Sequence, residues 1–172
     1  MSRNVQKLSN TYDLHDGQVI QGVLNDNVVV FKEHGVNFSA NVIHGHKTGY
    51  FLDHRENRRR VGELSNNKTV LDVFSYAGGF SVHALANGAK EVTSLDISKQ
   101  ALDIARKNGK LNDFIGMHKT LSGDAFKEMK ALIEKGKTYD VVIIDPPSFA
   151  KQQSEIDLAK KKYAQLAELG EK

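Results

Sequence analysis

The stretch VLDVFSYAGGFSVHAL, from Val70 to Leu85, decides the fold. With Thr69 before it, its opening TVLDVF (69–74) is a short apolar run of the kind that forms a strand buried on both faces. From Gly78 to Ala86 the residues read instead as a helix, ended by Asn87-Gly88, a pair suited to a left-handed terminator. Between the two lies Ser75-Tyr76-Ala77-Gly78-Gly79, where paired glycines let a ligand approach the backbone beside a helix N-terminus. The loop lacks a full GxGxxG, and a glycine pair also reads as a plain tight turn.

Toward the C-terminus the alternation repeats. EVTSLDI (91–97) is a second strand, and Ser98 can cap a helix reaching about Lys107 with Ala101, Leu102, Ile104 and Ala105 on its apolar face. A third strand falls around 117–122. Helix 125–135 then sets Phe126, Met129, Leu132 and Ile133 on one stripe and stops at Gly136, before the strand YDVVIID (139–145). Segment 154–169 is amphipathic and predicted helical. Strands alternating with helices of this length imply an α/β fold with a Rossmann-like parallel sheet and right-handed crossovers, here four strand–helix units. Toward the N-terminus, residues 1–18 form a polar lead-in without a clear period. VIQGV, NVVVF and VNFSANVI, with the turn signal Glu33-His34-Gly35, read as short strands of a small antiparallel β element over 19–50. KTGYFLDHRENRRRVGEL then leads into a helix around 54–64, stopped by Ser65-Asn66-Asn67, so that 51–172 form the Rossmann-like domain.

At 172 residues, 40% hydrophobic and 26% charged, the chain has the balance of one globular domain. Lys and Arg number 24 against 21 Asp and Glu, a net charge of +3 that permits an anionic partner without requiring one. The absence of Cys excludes disulfides, Cys-ligated zinc, iron–sulfur clusters and a thiolate nucleophile within these residues. There is no long apolar run, and MSRNVQKLSN has no apolar core for a signal peptide, so the expectation is a cytoplasmic protein without a membrane span.

Ligands of open parallel sheets bind beyond the carboxyl ends of the strands, and all four ends here are polar. The first carries Asp72. Asp96 follows Gly79 at close to the roughly 20-residue offset at which a carboxylate accepts from ribose hydroxyls, although an acid stabilised by a helix dipole would stand there too. Asp124 suits either an adenine amino group or a plain N-cap. The fourth end, Asp145-Pro146-Pro147-Ser148-Phe149, holds both prolines of the chain. They fix rigid carbonyl acceptors for a planar amine or base edge, and an aromatic ring can stack on it; the alternative is a stiff strand terminator. His44-x-His46 reads as a polar turn rather than a metal pair, since Asp53 is the one acidic residue near it. Arg58-Arg59-Arg60 fits a charged helix face or a phosphate contact, and Lys160-Lys161-Lys162 is a weaker candidate for the same role.

Taken together, these residues resemble the class I S-adenosylmethionine-dependent methyltransferases. KTGYFLDHREN, VLDVFSYAGGFSVHAL, LDIS and DVVIIDPPSFA are similar to the bacterial 23S ribosomal RNA methyltransferases that make 5-methylcytosine, whose relatives make 7-methylguanine, over about residues 27–167. The resemblance implies S-adenosyl-L-methionine as cofactor, ribosomal RNA of the 23S type as partner and no metal. It leaves the oligomeric state open, a dimer being one option. Phe51, Asp53 and Arg55 would line the cofactor cleft, while Asp72, Ser75, Gly78 and Gly79 would surround the methionine moiety. Asp96 would take the ribose and Asp124 the adenine, with Ile97 and Ala125 also among the cofactor-binding residues. Asp145, Pro146 and Phe149 would form the methyl-transfer mouth. His46 and His54 stand where the family often has Gln. Seven strands are implied, so the C-terminal strands are expected to be missing from this chain. Cofactor binding is then expected to survive, and methylation of cytosine C5, which needs a nucleophile such as Cys, is not. Two other readings compete: a nicotinamide-dependent oxidoreductase, for which GxGxxG is lacking, and a noncatalytic RNA- or cofactor-binding module.

Overall fold

The computed structural model describes residues 11, 15, 17–43 and 49–172. His44 and His46 lie outside them. Two strands come first, β1 (Val28–Glu33) and β2 (Val36–Asn41), paired antiparallel through the two-residue turn His34-Gly35. Both turn residues have positive φ, 48° and 83°, the backbone whose twist matches a tight hairpin. VIQGV, expected as a further strand, is not one: residues 19–23 carry no strand pairing, and Ile20 and Val23 are 82% and 87% exposed. β1 and β2 pair with each other along their whole length, and Gly22, at φ 83°, breaks the extended backbone of the preceding run.

Helix α1 (Arg55–Leu64) leads into the main sheet. Its four strands are β3 (Thr69–Val73), β4 (Glu91–Asp96), β5 (Met117–Ser122) and β6 (Val141–Ile144), all parallel in the order β5-β4-β3-β6. Between them run α2 (Gly79–Ala86), α3 (Lys99–Gly109) and α4 (Ala125–Glu134), and α5 (Ile156–Gly170) follows β6 after a single 3-10 turn, Gln153–Glu155. The period-two alternation of β3 and β4 divides the core between the two faces of the sheet. Leu71, Val73 and Leu95 pack under α4 and α5 with Met129 and Leu166. Val70 and Val92 face the other way, against Ala84 and Leu85 of α2. Strand β6 has β3 as its one neighbour among the described residues, so it stands at an edge with all four of its apolar residues half-buried.

The hairpin is fastened to this sheet layer by a buried charge cluster. Glu33 closes β1 and is 4% exposed; Arg58 of α1 is 3% exposed. Arg58 donates from Nε to Glu33 Oε1 at 2.7 Å and from Nη2 to Oε2 at 2.8 Å, a bidentate pair. The same Oε1 meets His83 Nε2 of α2 at 3.0 Å and accepts from the Tyr50 hydroxyl at 3.2 Å. The guanidinium carbon lies 4.7 Å from the centre of the Tyr50 ring. Burial pushes the Glu33 carboxyl up, but the hydrogen bonds and charge of Arg58 and His83 together hold it below its ordinary value. This corrects the reading of Arg58-Arg59-Arg60 as one basic face. Arg58 points inward to the buried Glu33, while Arg59 pairs with Glu56 and Glu63 along the exposed side of α1.

Removing one partner leaves the other charge buried and uncompensated, so Glu33→Ala should destabilise the protein by about 3–5 kcal/mol, and the double change Glu33→Leu/Arg58→Met by clearly less. Urea denaturation at neutral pH checks both. Because Glu33 is held below its ordinary value, its contribution is present above the carboxylate range and lost as the pH falls through it, and the gap between wild type and Glu33→Ala should narrow in acid.

Candidate functional site

The carboxyl ends of β3, β4 and β6 open on the same side, and the loop 74–79 runs across them. Its backbone is unusual: Phe74, Tyr76 and Gly78 all have positive φ, 64°, 49° and 78°. A non-glycine residue adopts that region only where its surroundings hold it there. The holding bonds are identifiable. The Ser75 amide donates to Leu95 O at 3.0 Å, the Tyr76 amide to Asp96 Oδ2 at 2.8 Å, and the Gly78 amide to Ser75 O at 2.8 Å. Asn108 of α3 donates to Ala77 O at 3.0 Å, while its own Oδ1 accepts from the amide and hydroxyl of Ser39 in β2. Gly78 caps α2, and a Cβ there would come within 2.7 Å of the Ala105 Cβ; one on Gly79 would meet Arg58 Cδ at 2.9 Å. Close packing therefore favours glycine at both positions, and backbone shape requires it at Gly78 as well.

The carboxylates are arranged around this loop. Asp72 is 1% exposed and takes the Ser81 amide at 3.0 Å and the Ser81 hydroxyl at 2.6 Å, both on Oδ2. Its other oxygen, Oδ1, is buried without a partner, as is the Ser75 hydroxyl. Burial pushes the Asp72 carboxyl up to about 7, partly opposed by Ser81 and reinforced by the charges of Asp145 and Asp96. Asp96 accepts the amides of Tyr76 and Ser98, each at 2.8 Å, and Ile97 beside it is 75% exposed. Asp124 caps α4 by accepting the Lys127 amide at 3.1 Å, with Ala125 buried as the first residue of that helix.

The segment before α1 supplies another wall. The Phe51 carbonyl accepts from Arg58 Nη2 at 2.8 Å, and the Phe51 ring meets Tyr76 edge-on at 5.4 Å, so the ion pair of the hairpin also holds this segment against the glycine loop. Asp53 and Arg55 are exposed. Asp145, 44% exposed at the end of β6, and Asp53 each place a carboxylate oxygen 3.7 Å from His54 Nε2. Pro146 is half-buried at this mouth. The Phe149 ring lies in the core cluster among Phe74, Phe126 and Tyr163, at 6.4, 6.2 and 5.0 Å, so it stacks on the protein's own aromatic side chains. The roles of Ser81, His54 and Tyr76 were not anticipated from sequence. The available signal was Thr93-Ser94, a polar pair inside an otherwise buried strand, which marks a polar layer under the glycine loop. Among the described residues no group of three or more His, Asp or Glu side chains is placed to hold a metal, and no helix is long and apolar enough to cross a membrane.

The chain is similar to known methyltransferases. A ribosomal RNA large subunit methyltransferase from Deinococcus radiodurans is 49% identical over 171 residues, covering 99% of this chain but 42% of its own length. The ribosomal RNA large subunit methyltransferase I of Aeromonas salmonicida is 42% identical over 139 residues, 80% of this chain and 35% of the relative. The chain thus spans well under half the length of these curated relatives. A crystal structure described as a methyltransferase complexed with SAH superposes with a TM-score of 0.75 at 28% identity, covering 96% of this chain and 47% of that one. None of these supports the oxidoreductase reading. Residues 21–169 match the model of the S-adenosylmethionine-dependent methyltransferases, and the chain belongs to that family.

Proposed function

We propose that the open strand ends bind S-adenosylmethionine and turn its methyl group toward a base of large-subunit ribosomal RNA, in a cytoplasmic setting. One observation carries the cofactor part: Asp72 Oδ1 and the Ser75 hydroxyl are buried without partners beside the glycine loop. Unpaired buried polar atoms are costly, and a ligand bearing an ammonium group and a sulfonium supplies the donor and the positive charge that this acidic end calls for. Its chemistry when bound is a methyl group on an already activated sulfur. Asp72 and Ser75 would hold the methionine end, Asp96 the ribose hydroxyls, and exposed Ile97 a face of the adenine, with Asp124 and Ala125 beside it. Phe51 and Asp53 would close the cleft from above, with Arg55 at its rim.

This chain's residues therefore align and solvate rather than form bonds. The carboxylates of Asp72, Asp96 and Asp145 would hold a cationic sulfonium cofactor in preference to a ligand with a neutral sulfur. Asp145 and Pro146, with His54 between Asp145 and Asp53, border the mouth where a base would enter. A ring nitrogen such as guanine N7 can attack directly from there. Carbon 5 of cytosine needs a nucleophile added to the ring first, and these 172 residues contain no Cys. The ribosomal RNA assignment rests on the names of the relatives; the basic residues left to meet phosphate include Arg60 and the lysines at 160–162 of α5, all but Lys162 exposed.

Asp96→Ala should weaken S-adenosylmethionine binding by about 1.5–3 kcal/mol, read by titration calorimetry; unchanged affinity removes the ribose assignment. Asp72→Asn should raise the melting temperature at pH 8 while weakening the cofactor. The carboxyl of Asp72 is raised above its unfolded value, so its favourable contribution is present at low pH and lost as the pH rises through about 7; the stabilisation should accordingly vanish near pH 4. With radiolabelled cofactor and ribosomal RNA, the purified chain should form no 5-methylcytosine.

A further inference from the structure

Asp72 does not end its hydrogen bonding at Ser81. The Ser81 hydroxyl lies 2.6 Å from the hydroxyl of Ser94 on β4, and that hydroxyl lies 2.8 Å from Nε2 of His118 on β5. Ser81 and Ser94 are fully buried and His118 is half-buried on the edge strand. Four side chains thus form one unbroken line from the cofactor end of β3 to the far edge of the sheet, through the layer under α2 and α3. We propose that Ser81, Ser94 and His118 are a proton relay that lets Asp72 change between carboxyl and carboxylate when a cationic group enters the cleft. This rests on the reading of that cleft as the cofactor site.

The line has two self-consistent directions. With Asp72 protonated, its hydroxyl donates to Ser81, Ser81 to Ser94, Ser94 to His118 Nε2, and the ring carries its hydrogen on Nδ1. With Asp72 ionised, the hydrogens run the other way, from His118 Nε2–H through Ser94 and Ser81 to Asp72 Oδ2. Passing between them moves one hydrogen along each bond: Asp72 loses a proton, the proton on Nδ1 passes to solvent, and the His118 ring changes tautomer without becoming charged. A relay of this kind needs an end group that stays neutral with one nitrogen on each side. Burial, and then the charge of Arg106 on α3, lower the proton affinity of His118 and keep it in that neutral form. Around Asp72 the charged groups are Asp96 from β4 and Asp145 from β6, which favour its protonated form in the empty cleft. On α2, the titratable His83 is turned to Glu33 and takes no part.

Nitrogen-15 NMR of the His118 ring in the ligand-free protein tests the relay. The tautomer should change with pH near neutrality, with the same midpoint as the pH dependence of S-adenosylmethionine affinity. In Ser94→Ala the line is cut. His118 should then hold one tautomer across that range. Ser81, left with Asp72 as its hydroxyl partner, stays turned to it as a donor, so the midpoint of cofactor affinity should fall by about one pH unit, the size of one hydrogen bond. His118→Gln, whose amide can donate or accept, should keep the wild-type midpoint. A His118 tautomer that does not vary from pH 5 to 9, or a Ser94→Ala midpoint equal to that of wild type, overturns the relay. Absence of cofactor binding by the wild-type chain overturns the functional reading instead, and the tautomer titration then still decides the relay.

Discussion

A single buried carboxylate, that of Glu33, sets the terms for the rest of the molecule. It sits at the end of a two-stranded hairpin that has little core of its own, and it draws Arg58 of α1, His83 of α2 and Tyr50 to one point. A two-stranded hairpin is at best marginal by itself, so it must be held against the sheet layer. The apolar contacts of Phe38 and Val36 with Val82 supply area, whereas the charge cluster supplies direction, because a bidentate ion pair tolerates little rotation. Through Arg58 Nη2 the same cluster fixes the Phe51 carbonyl, and through the Arg58 stem it borders Gly79. An element remote from the chemistry thus determines where the wall of the cleft stands.

The parallel sheet makes the complementary contribution. Because β3 is flanked on both sides, its end is held by two neighbours, and Asp72 is suspended there, with Asp96 and Asp145 at the ends of those neighbours. Each face of β3 carries a different material. One face is packed with Leu71 and Val73; the other holds Asp72 level with Ser94, so a polar seam runs through an otherwise apolar sandwich.

Much of this was legible in the residues. The alternation over 69–144 was legible because β3 and β6 are short apolar runs and two of the three helices carry stop signals, Asn87-Gly88 and Gly136. The hairpin turn was marked by Gly35. VIQGV misled because β-branched apolar residues resemble a strand whether or not a partner strand exists, and pairing is not a local property. Arg58 misled for a related reason: three consecutive arginines look alike, and only the position of Glu33, 25 residues earlier, separates the one that turns inward. His118 gave no signal, since its partner Ser94 lies 24 residues away on another strand.

The left-handed backbone at Phe74 and Tyr76 bears on how tightly a ligand can be held. Glycine-rich loops commonly lose freedom when they close on a ligand, and that loss subtracts from affinity. Here the conformational entropy of the loop is surrendered during folding, because Leu95 O, Asp96 and Asn108 already hold residues 75–78 in shape. A ligand arriving at these strand ends meets a loop with little left to freeze, and the cost of ordering that loop is not subtracted from its affinity.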